Sequence, residues 1–226
     1  MEKKKYTIQK KEVTLYASDW EDVPLIVLNN FSGDGEEVMK SMAEIDTPEC
    51  NLLVVGNLNW DHDMAPWSCP PIAPQDEPCT GGADAYLALL LSEIMPQTLP
   101  RIKGTPSWTG IAGYSLAGLF ALYAFYQCET FDRVASMSGS LWFPDFVEYA
   151  KDHVLKKKPQ KVYISLGDKE DRTKNPYLKT VRERTETLVK HYQEQGLDVQ
   201  WELNPGNHFK NPSLRSAKGI RAILGE

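Results

Sequence analysis

"TGIAGYSLAGLFALYAF", from Thr109 to Phe125, changes character halfway along its length. Its first residues are small, apolar or β-branched, as in a buried strand, and its second half is a run of Leu, Ala and aromatic residues typical of a helix. Ser115 lies at the junction, between Gly113 and Ala117. Strand and helix backbones almost touch in such a tight turn, so small residues are needed on both sides. The stretch therefore predicts an exposed hydroxyl at the carboxyl end of a strand.

The rest of the chain alternates between strand and helix patterns. Short runs rich in Val, Ile and Leu recur, mostly with longer helical patterns between them. The runs outside the opening stretch are "EVTLYA", "VPLIVLNN", "NLLVVGN", "RVASMSG", "KVYISLG" and "LDVQWEL". This alternation predicts an α/β fold with a mostly parallel central sheet and helices on both faces. One helix is expected to stop at Pro96, and two others to begin at the Asn-Pro pairs that start at Asn175 and Asn211.

Length and charge limit the classes of protein to which the chain can belong. Its 226 residues predict a single domain over residues 1–226, with no large lid domain. A formal net charge of −6 argues against a nucleic-acid partner, because phosphates repel an acidic surface. The basic start, "MEKKKYTIQKK", is interpreted as a solvated end. The sequence shows no apolar stretch of the kind that would predict a signal peptide or a membrane partner. We therefore expect a cytoplasmic protein, and the sequence leaves its oligomeric state open.

The stretch from residue 58 to residue 81 is rich in both proline and tryptophan. This composition predicts a folded functional loop near the active site rather than a regular element. Within the loop, Asp61, His62 and Asp63 raise a rival hypothesis, in which they bind a metal together with a cysteine of the same loop. Their spacing matches no standard metal site, so we expect neither a metal nor a cofactor.

Four cysteines are too few for a disulfide scaffold in a chain of this size, and no Cys-x-x-Cys pair is present. We therefore expect free thiols. Cys69 and Cys79 share one loop and are the two that an oxidising compartment would pair.

A nucleophilic serine needs a base, and in this strand, turn and helix arrangement the order along the chain is Ser, then the acid, then His. His208, in "NPGNHFKNP", follows the last predicted strand, where a loop imidazole can reach the edge of the sheet. His191 lies inside a long charged helix pattern, which is typical of a surface histidine. We select His208 as the base, and a solvent-exposed loop histidine is the alternative interpretation.

The acid is expected after the strand "KVYISLG", where three carboxylates are crowded together. Glu170 stands three residues after Gly167, a spacing at which the loop can turn a carboxylate toward the histidine. Glu170 is our first choice, with Asp171 second and Asp168 third. The two that are not the acid are expected to be surface charges or loop caps.

Two backbone amides are candidates to stabilise an oxyanion at the serine. The N–H of Leu116, at the start of the predicted helix, points toward any oxyanion formed at the hydroxyl, helped by the helix dipole. The second donor is expected from the turn after "LIVLNN", because that loop lies beside the serine turn in this type of fold. Phe31 is chosen there by position, since the identity of the residue says little about a backbone donor.

Four aromatic residues are candidates to wall a substrate pocket. Two follow the strand after the serine helix and two lie in the 58–81 loop: Trp142, Phe143, Trp60 and Trp67. Packing into the core is the alternative, because aromatic residues dominate cores as readily as clefts.

These motifs, in this order, resemble the putative-esterase branch of the α/β-hydrolase superfamily. That branch includes enterochelin esterase-like and esterase D-like (S-formylglutathione hydrolase-like) proteins. The resemblance rests on "GYSLAGLFALYAF", "FDRVASMSGSLWF", "YISLGDKEDRT" and "GNHF", and it spans the chain from about Val23 to its end. The chain departs from the branch at "LNNFSG", which replaces the common His-Gly turn, and it has no basic cluster suited to an anionic catecholate siderophore.

The resemblance implies a role for each candidate residue. Ser115 would be the nucleophile, His208 the general base and Glu170 the orienting acid. The amides of Leu116 and Phe31 would form the oxyanion hole. The implied protein is an α/β-hydrolase-fold serine esterase that cleaves a small-molecule carboxylic ester or thioester through an acyl-enzyme, without a cofactor. A hydrolase-fold binding module without turnover, or an acyltransferase or peptidase that uses the same residues, remains the alternative.

Overall fold

A central β-sheet organises the chain. The computed structural model describes residues 1–73 and 75–225. Its strands are β1 (Glu2–Ile8), β2 (Lys11–Ala17), β3 (Leu25–Asn29), β4 (Asn51–Gly56), β5 (Ser68–Cys69), β6 (Cys79–Thr80), β7 (Thr109–Tyr114), β8 (Arg133–Met137), β9 (Lys161–Gly167) and β10 (Val199–Asn204). Eight of them form one sheet in the order β1-β2-β4-β3-β7-β8-β9-β10, and β5 and β6 form a separate two-stranded ribbon.

The large sheet is mostly parallel. The strands from β4 to β10 in this order run parallel to their neighbours, and β2 and β1 are added antiparallel at one edge. The predicted α/β fold with a mostly parallel sheet is therefore confirmed. Because parallel strands end on the same side, the residues that follow β3, β7, β8, β9 and β10 share one rim of the sheet.

Helices cover both faces of the sheet. They are α1 (Glu36–Glu44), α2 (Trp60–Asp63), α3 (Ala83–Leu89), α4 (Met95–Thr98), α5 (Leu116–Gln127), α6 (Phe146–Asp152), α7 (Val181–Glu194) and α8 (Pro212–Leu224). One face packs against α3, α5, α6 and α7, and the other packs against α1 and α8. Every residue of α5 except Gln127 is buried, as the apolar run after the serine predicts.

The described residues contain no large lid domain, and the prediction of a single domain over the whole chain stays a prediction. No helix among them is long and apolar enough to cross a membrane.

Strand β1 corrects the interpretation of the basic start as a solvated end. It pairs with β2 along its whole length, from Glu2 opposite Ala17 to Ile8 opposite Lys11. Its inward positions are Lys4, Tyr6 and Ile8, and because the first of these is charged, the alternating apolar pattern of a strand is hidden in the sequence. Charged side chains are common on edge strands because they discourage pairing with another chain.

Pro96 does not stop its helix, contrary to the sequence-based expectation. A π-helical turn over Leu90–Ile94 joins α3 to α4, and the N–H of Met95 donates to the carbonyl oxygen of Leu90. This wider turn moves the carbonyls with which the proline ring would otherwise clash, so α4 continues to Thr98 and a 3₁₀ turn follows over Leu99–Arg101.

The two Asn-Pro starts differ in how they begin a helix. The side chain of Asn175 accepts hydrogen bonds from the N–H groups of Tyr177 and Leu178, but it caps a 3₁₀ turn over Leu178–Thr180, and α7 begins only at Val181. Asn211 lies at the predicted position before α8, but in a left-handed conformation with φ of 52°, and its side chain makes no capping bond.

Helix α8 lies close to the sheet because Gly219 has no side chain. A Cβ added at Gly219 would lie 2.3 Å from the sulfur of Met137 and 3.2 Å from the ring of Tyr163, both of which are fully buried. Gly219→Ala is therefore expected to lower the free energy of unfolding by about 1–3 kcal/mol, measured by urea denaturation. An uncrowded helical site would instead gain about 1 kcal/mol from the same change.

The half-buried Ala222 of the same helix provides the control. Ala222→Gly should report only the ordinary helix-propensity difference of about 1 kcal/mol. A Gly219→Ala protein more stable than the wild type would contradict the close approach.

Candidate active site

Ser115 lies on a sharp turn between β7 and α5. Its φ and ψ are 60° and −126°, a strained conformation for a residue with a side chain. The strain follows from the close approach of strand and helix: a Cβ added at Gly113 would lie 2.1 Å from the carbonyl oxygen of Ala117. The turn therefore directs the Ser115 hydroxyl outward at the carboxyl end of β7, as the sequence predicts.

His208 meets this hydroxyl from the loop between β10 and α8. Its Nε2 lies 3.1 Å from Ser115 Oγ. The Tyr114 hydroxyl donates to the backbone carbonyl of His208 at 2.6 Å, which fixes the loop beside the end of β7. His191 lies elsewhere, on α7, where its Nε2 is 3.2 Å from the carbonyl oxygen of Ala150.

Glu170 is the carboxylate of its loop that contacts the imidazole. Its Oε2 lies 2.7 Å from His208 Nδ1. The other two candidates have different surroundings: Asp168 accepts the N–H of Gly206 at 2.6 Å, and Asp171 lines a surface groove beside α7. The first choice among the three carboxylates is thus the one that the structure brings to the histidine.

Glu170 is buried yet held in its ionised form. Burial, the largest influence, raises the pKa of this carboxyl. Hydrogen bonds from His208, from the Ser138 hydroxyl and from the N–H of Gly167, together with the attraction of His208, outweigh it and leave the pKa below that of an ordinary glutamate. The side chain is only 4% exposed, so these donors replace water as its solvation.

The two predicted amides lie at the same rim. Leu116 is the first residue of α5, so its N–H has no acceptor within the helix. Phe31 follows β3, and Asn29 at the end of β3 pairs with Gly113 at the end of β7. This register brings the residues after β3 next to the serine turn.

Two cavities flank the serine and the histidine. The first cavity, of about 680 Å³, extends toward the loop after β3, and the second, of about 350 Å³, extends toward the 58–81 loop. Ser115, His208, Trp60 and Phe209 border both cavities.

The four predicted wall residues divide into two groups. Trp60 borders both cavities and Trp142 borders the second. Trp67 and Phe143 instead pack into the core: Phe143 is fully buried, and Trp67 packs edge-on against it and donates its indole N–H to the carbonyl oxygen of Pro144. For these two the structure corrects the prediction, because the aromatic cluster under the loop accommodates them as core side chains. Phe31, which was chosen only for its amide, places an exposed ring edge-on to Trp60, with centroids 5.0 Å apart.

The 58–81 loop is partly regular, since it contains α2 and the β5–β6 ribbon. Its acidic and histidine side chains face different partners. Asp63 pairs with Lys11, His62 bonds to the Thr80 hydroxyl at 2.7 Å, and Asp61 borders the second cavity. Among the described residues no three metal-ligating side chains are grouped, so the rival metal hypothesis gains no support.

Cys69 and Cys79 lie opposite each other on the ribbon as free cysteines. Burial raises the pKa of both thiols, that of Cys79 to about 12. Cys50 and Cys128 are also free.

Sequence reasoning missed Arg215. Its guanidinium lies 3.0 Å from Glu170 Oε1 and 3.0 Å from the Ser138 hydroxyl. A signal is present in the sequence: Arg215 shares the buried face of α8 with Gly219 and Ile223 at intervals of four residues, and a charge on an apolar helix face needs a buried partner.

Comparison with known proteins identifies the family. The model of the family described as "Putative esterase" matches residues 35–211, well over half of the chain. The chain belongs to this family. It is therefore an esterase of the α/β-hydrolase type, and the predicted resemblance is confirmed.

The fold of this esterase recurs in solved structures. A siderophore hydrolase, EstA from Aspergillus nidulans, is 18% identical, with a TM-score of 0.71 over 97% of this chain and 92% of its own. An IroE-like serine hydrolase from Shewanella oneidensis is 19% identical, with a TM-score of 0.76 over 97% of this chain and 78% of its own. Among curated sequences, the uncharacterized protein YbbA of Bacillus subtilis is 22% identical over 80% of this chain and 75% of its own.

The lowered pKa of Glu170 predicts a stability effect in acid. A carboxyl whose pKa is lower in the folded state stabilises the fold above its unfolded-state pKa, and this contribution is lost as the pH falls through the folded value. We expect the free energy of unfolding of the wild type to decline more steeply below pH 4.5, the ordinary glutamate value, than that of Glu170→Gln. Urea unfolding at stepped pH measures both slopes. Parallel curves for the two proteins below this pH would contradict the inferred shift.

Proposed function

We propose that this esterase hydrolyses its ester through an acyl-enzyme formed on Ser115, with His208 as the general base and Glu170 as the orienting acid. The observation that carries the proposal is the unbroken chain of contacts from Ser115 Oγ to His208 Nε2 at 3.1 Å, and from His208 Nδ1 to Glu170 Oε2 at 2.7 Å. A nucleophile, a base and a group that orients the base are what covalent acyl transfer requires.

In the acylation half of the reaction, Ser115 Oγ attacks the ester carbonyl while His208 Nε2 accepts its proton. The tetrahedral intermediate collapses when His208 returns that proton to the leaving alcohol or thiol. Glu170 holds the tautomer with the proton on Nδ1, which leaves Nε2 free to act as the base. Water then attacks the acyl-enzyme by the same proton path and releases the acid.

The negative oxygen of the intermediate needs preorganised donors. We assign this role to the N–H groups of Leu116 and Phe31. The first N–H of a buried helix carries the positive end of the helix dipole, which favours a developing anion. Losing one such donor typically lowers kcat by about 10²–10³-fold.

The proposed substrate is a small-molecule carboxylic ester or thioester whose two halves occupy the two cavities. Together the cavities suit small molecules rather than extended polymers. Among the described residues that border them, none is a lysine or an arginine, so an anionic catecholate siderophore is not proposed as the substrate. A panel of esters and thioesters of increasing acyl length would define both halves.

We further propose that the protein acts in the cytoplasm. The support is the presence of four free cysteines, two of them side by side on the β5–β6 ribbon. Reducing compartments maintain thiols in this state. No nucleic-acid partner is proposed, because the net charge of −6 opposes one.

Ser115→Ala tests the nucleophile. The variant is expected to lose labelling by a fluorophosphonate probe and to lower kcat for p-nitrophenyl acetate by roughly 10⁴-fold or more, because alanine has no hydroxyl to attack the ester. Ser107→Ala, at an exposed serine before the opposite end of β7, is the control and should keep both properties. A wild type that stays unlabelled under conditions that label a known serine hydrolase would favour the binding module.

Glu170→Gln tests the acid. An amide cannot hold the imidazole in the required tautomer, so kcat is expected to fall by about 10²–10⁴-fold while KM changes little. Asp171→Asn, one residue further along the same loop, is the matched control and should retain wild-type kinetics. Equal losses in the two variants would remove Glu170 from the mechanism.

A further inference from the structure

Arg215 is a buried cation beside the proposed catalytic residues. It lies in the first turn of α8, and its side chain is only 3% exposed. Its Nη1 lies 3.0 Å from Glu170 Oε1, and its Nη2 donates to the carbonyl oxygen of Pro205 at 3.1 Å. A guanidinium stays ionised in proteins, so its charge must be compensated within the interior. Within the described residues its ion-pair partner is Glu170.

The two oxygens of Glu170 have different tasks. Oε1 accepts hydrogen bonds from the Ser138 hydroxyl, the N–H of Gly167 and the Arg215 guanidinium. Oε2 faces His208 Nδ1. A glutamate side chain has one more rotatable bond than an aspartate, so it needs more contacts to fix it. Three donors on one oxygen fix the plane of the carboxylate and direct the other oxygen at the imidazole.

The same guanidinium joins the segments that carry the serine and the histidine. Its Nη1 lies 3.2 Å from the hydroxyl of Tyr114, the residue before Ser115. That hydroxyl donates in turn to the backbone carbonyl of His208. The bond from Nη2 to Pro205 reaches the loop of His208 a second time. Arg215 thus contacts the ends of β7 and β8, the loop after β9 and the loop after β10.

We propose that Arg215 is a positioning residue for the hydrolytic reaction, which holds Glu170 and the His208 loop in the arrangement that lets the imidazole take the Ser115 proton. This inference rests on the proposed function. The cation also compensates the buried carboxylate while the imidazole is neutral, so that an ionised acid and a free base coexist before substrate binds. Arg215 borders neither cavity, so it acts through Glu170 and His208 rather than on the substrate.

Arg133 provides a matched control at the other end of the same helix. Its Nη1 donates to the carbonyl oxygens of Ile223 and Gly225, and its guanidinium lies over the ring of Trp108. Arg133 begins β8, so it lies at the amino ends of the parallel strands, opposite the rim that carries Ser115. It therefore anchors α8 without contact with the proposed catalytic residues.

The experiment compares Arg215→Lys, Arg215→Ala and Arg133→Lys with the wild type. Lysine keeps the positive charge but loses the planar fork that reaches two segments at once. Thermal unfolding and steady-state hydrolysis of p-nitrophenyl acetate are measured for each protein, with and without millimolar guanidinium chloride. Sodium chloride at the same ionic strength controls for salt.

We expect Arg215→Lys to lower kcat by about 10–100-fold with little change in KM, since displacement of a catalytic group by 1 Å has an effect of that size. Arg215→Ala should lose more, and guanidinium should restore at least part of that loss. Arg133→Lys should keep the wild-type kcat even if its melting temperature falls. Wild-type kcat in Arg215→Lys, or an Arg215→Ala protein that is folded, inactive and not rescued by guanidinium, would overturn the proposal.

A second measurement separates this proposal from the proposed function. In the wild type, the proton on His208 Nδ1 that faces Glu170 Oε2 is expected to give a far-downfield NMR resonance, which Glu170→Gln should abolish. We expect Arg215→Lys to broaden or shift that resonance while the fluorophosphonate probe still labels Ser115, more slowly than in the wild type. An unchanged resonance in Arg215→Lys would overturn only the proposed role of Arg215 and would leave the proposed function standing. A wild type that the fluorophosphonate probe does not label would instead overturn the proposed function.

Discussion

The near-contact between β7 and α5 is the constraint on which the rest of the site depends. No side chain fits at Gly113, because the carbonyl oxygen of Ala117 occupies the space that a Cβ would need. The chain can make this turn only if Ser115 accepts a strained backbone, and the buried apolar face of α5 supplies the packing that holds it there. The register of the parallel strands then determines which loops lie beside the hydroxyl, because the loops after β3, β8, β9 and β10 all begin at the same rim.

The buried charge of Glu170 is compensated on both of its carboxylate oxygens. The carboxylate of Glu170 is buried between an imidazole on one oxygen and three donors on the other, so the energy lost on desolvation is returned by hydrogen bonds. An arginine among those donors adds a permanent positive charge beside the carboxylate. Serine, histidine and glutamate are therefore held by contacts to the framework as well as to one another.

Sequence reasoning reached the framework and the side chains that meet at its rim because both leave local signatures. Glycine at position 113 and the strand and helix patterns around Ser115 are visible within a few residues, and His208 differs from His191 by lying in a loop instead of a charged helix. The choice among Asp168, Glu170 and Asp171 stayed open because it depends on how one loop turns. The sequence offers no means to distinguish an aromatic residue that lines a cavity from one that packs in the core, so Trp67 and Phe143 were misplaced. Arg215 was missed because its partners are remote in the chain.

The position of Trp60 has a consequence for engineering. Its ring stands between the two cavities and borders both, whereas Phe31 borders the first alone and Trp142 the second alone. Any change in side-chain volume at position 60 resizes both compartments together. If the two halves of the ester occupy the two cavities, as proposed above, tolerance for a bulkier acyl group and for a bulkier alcohol cannot be selected separately at Trp60. Independent control over each half then has to come from Phe31 and Trp142.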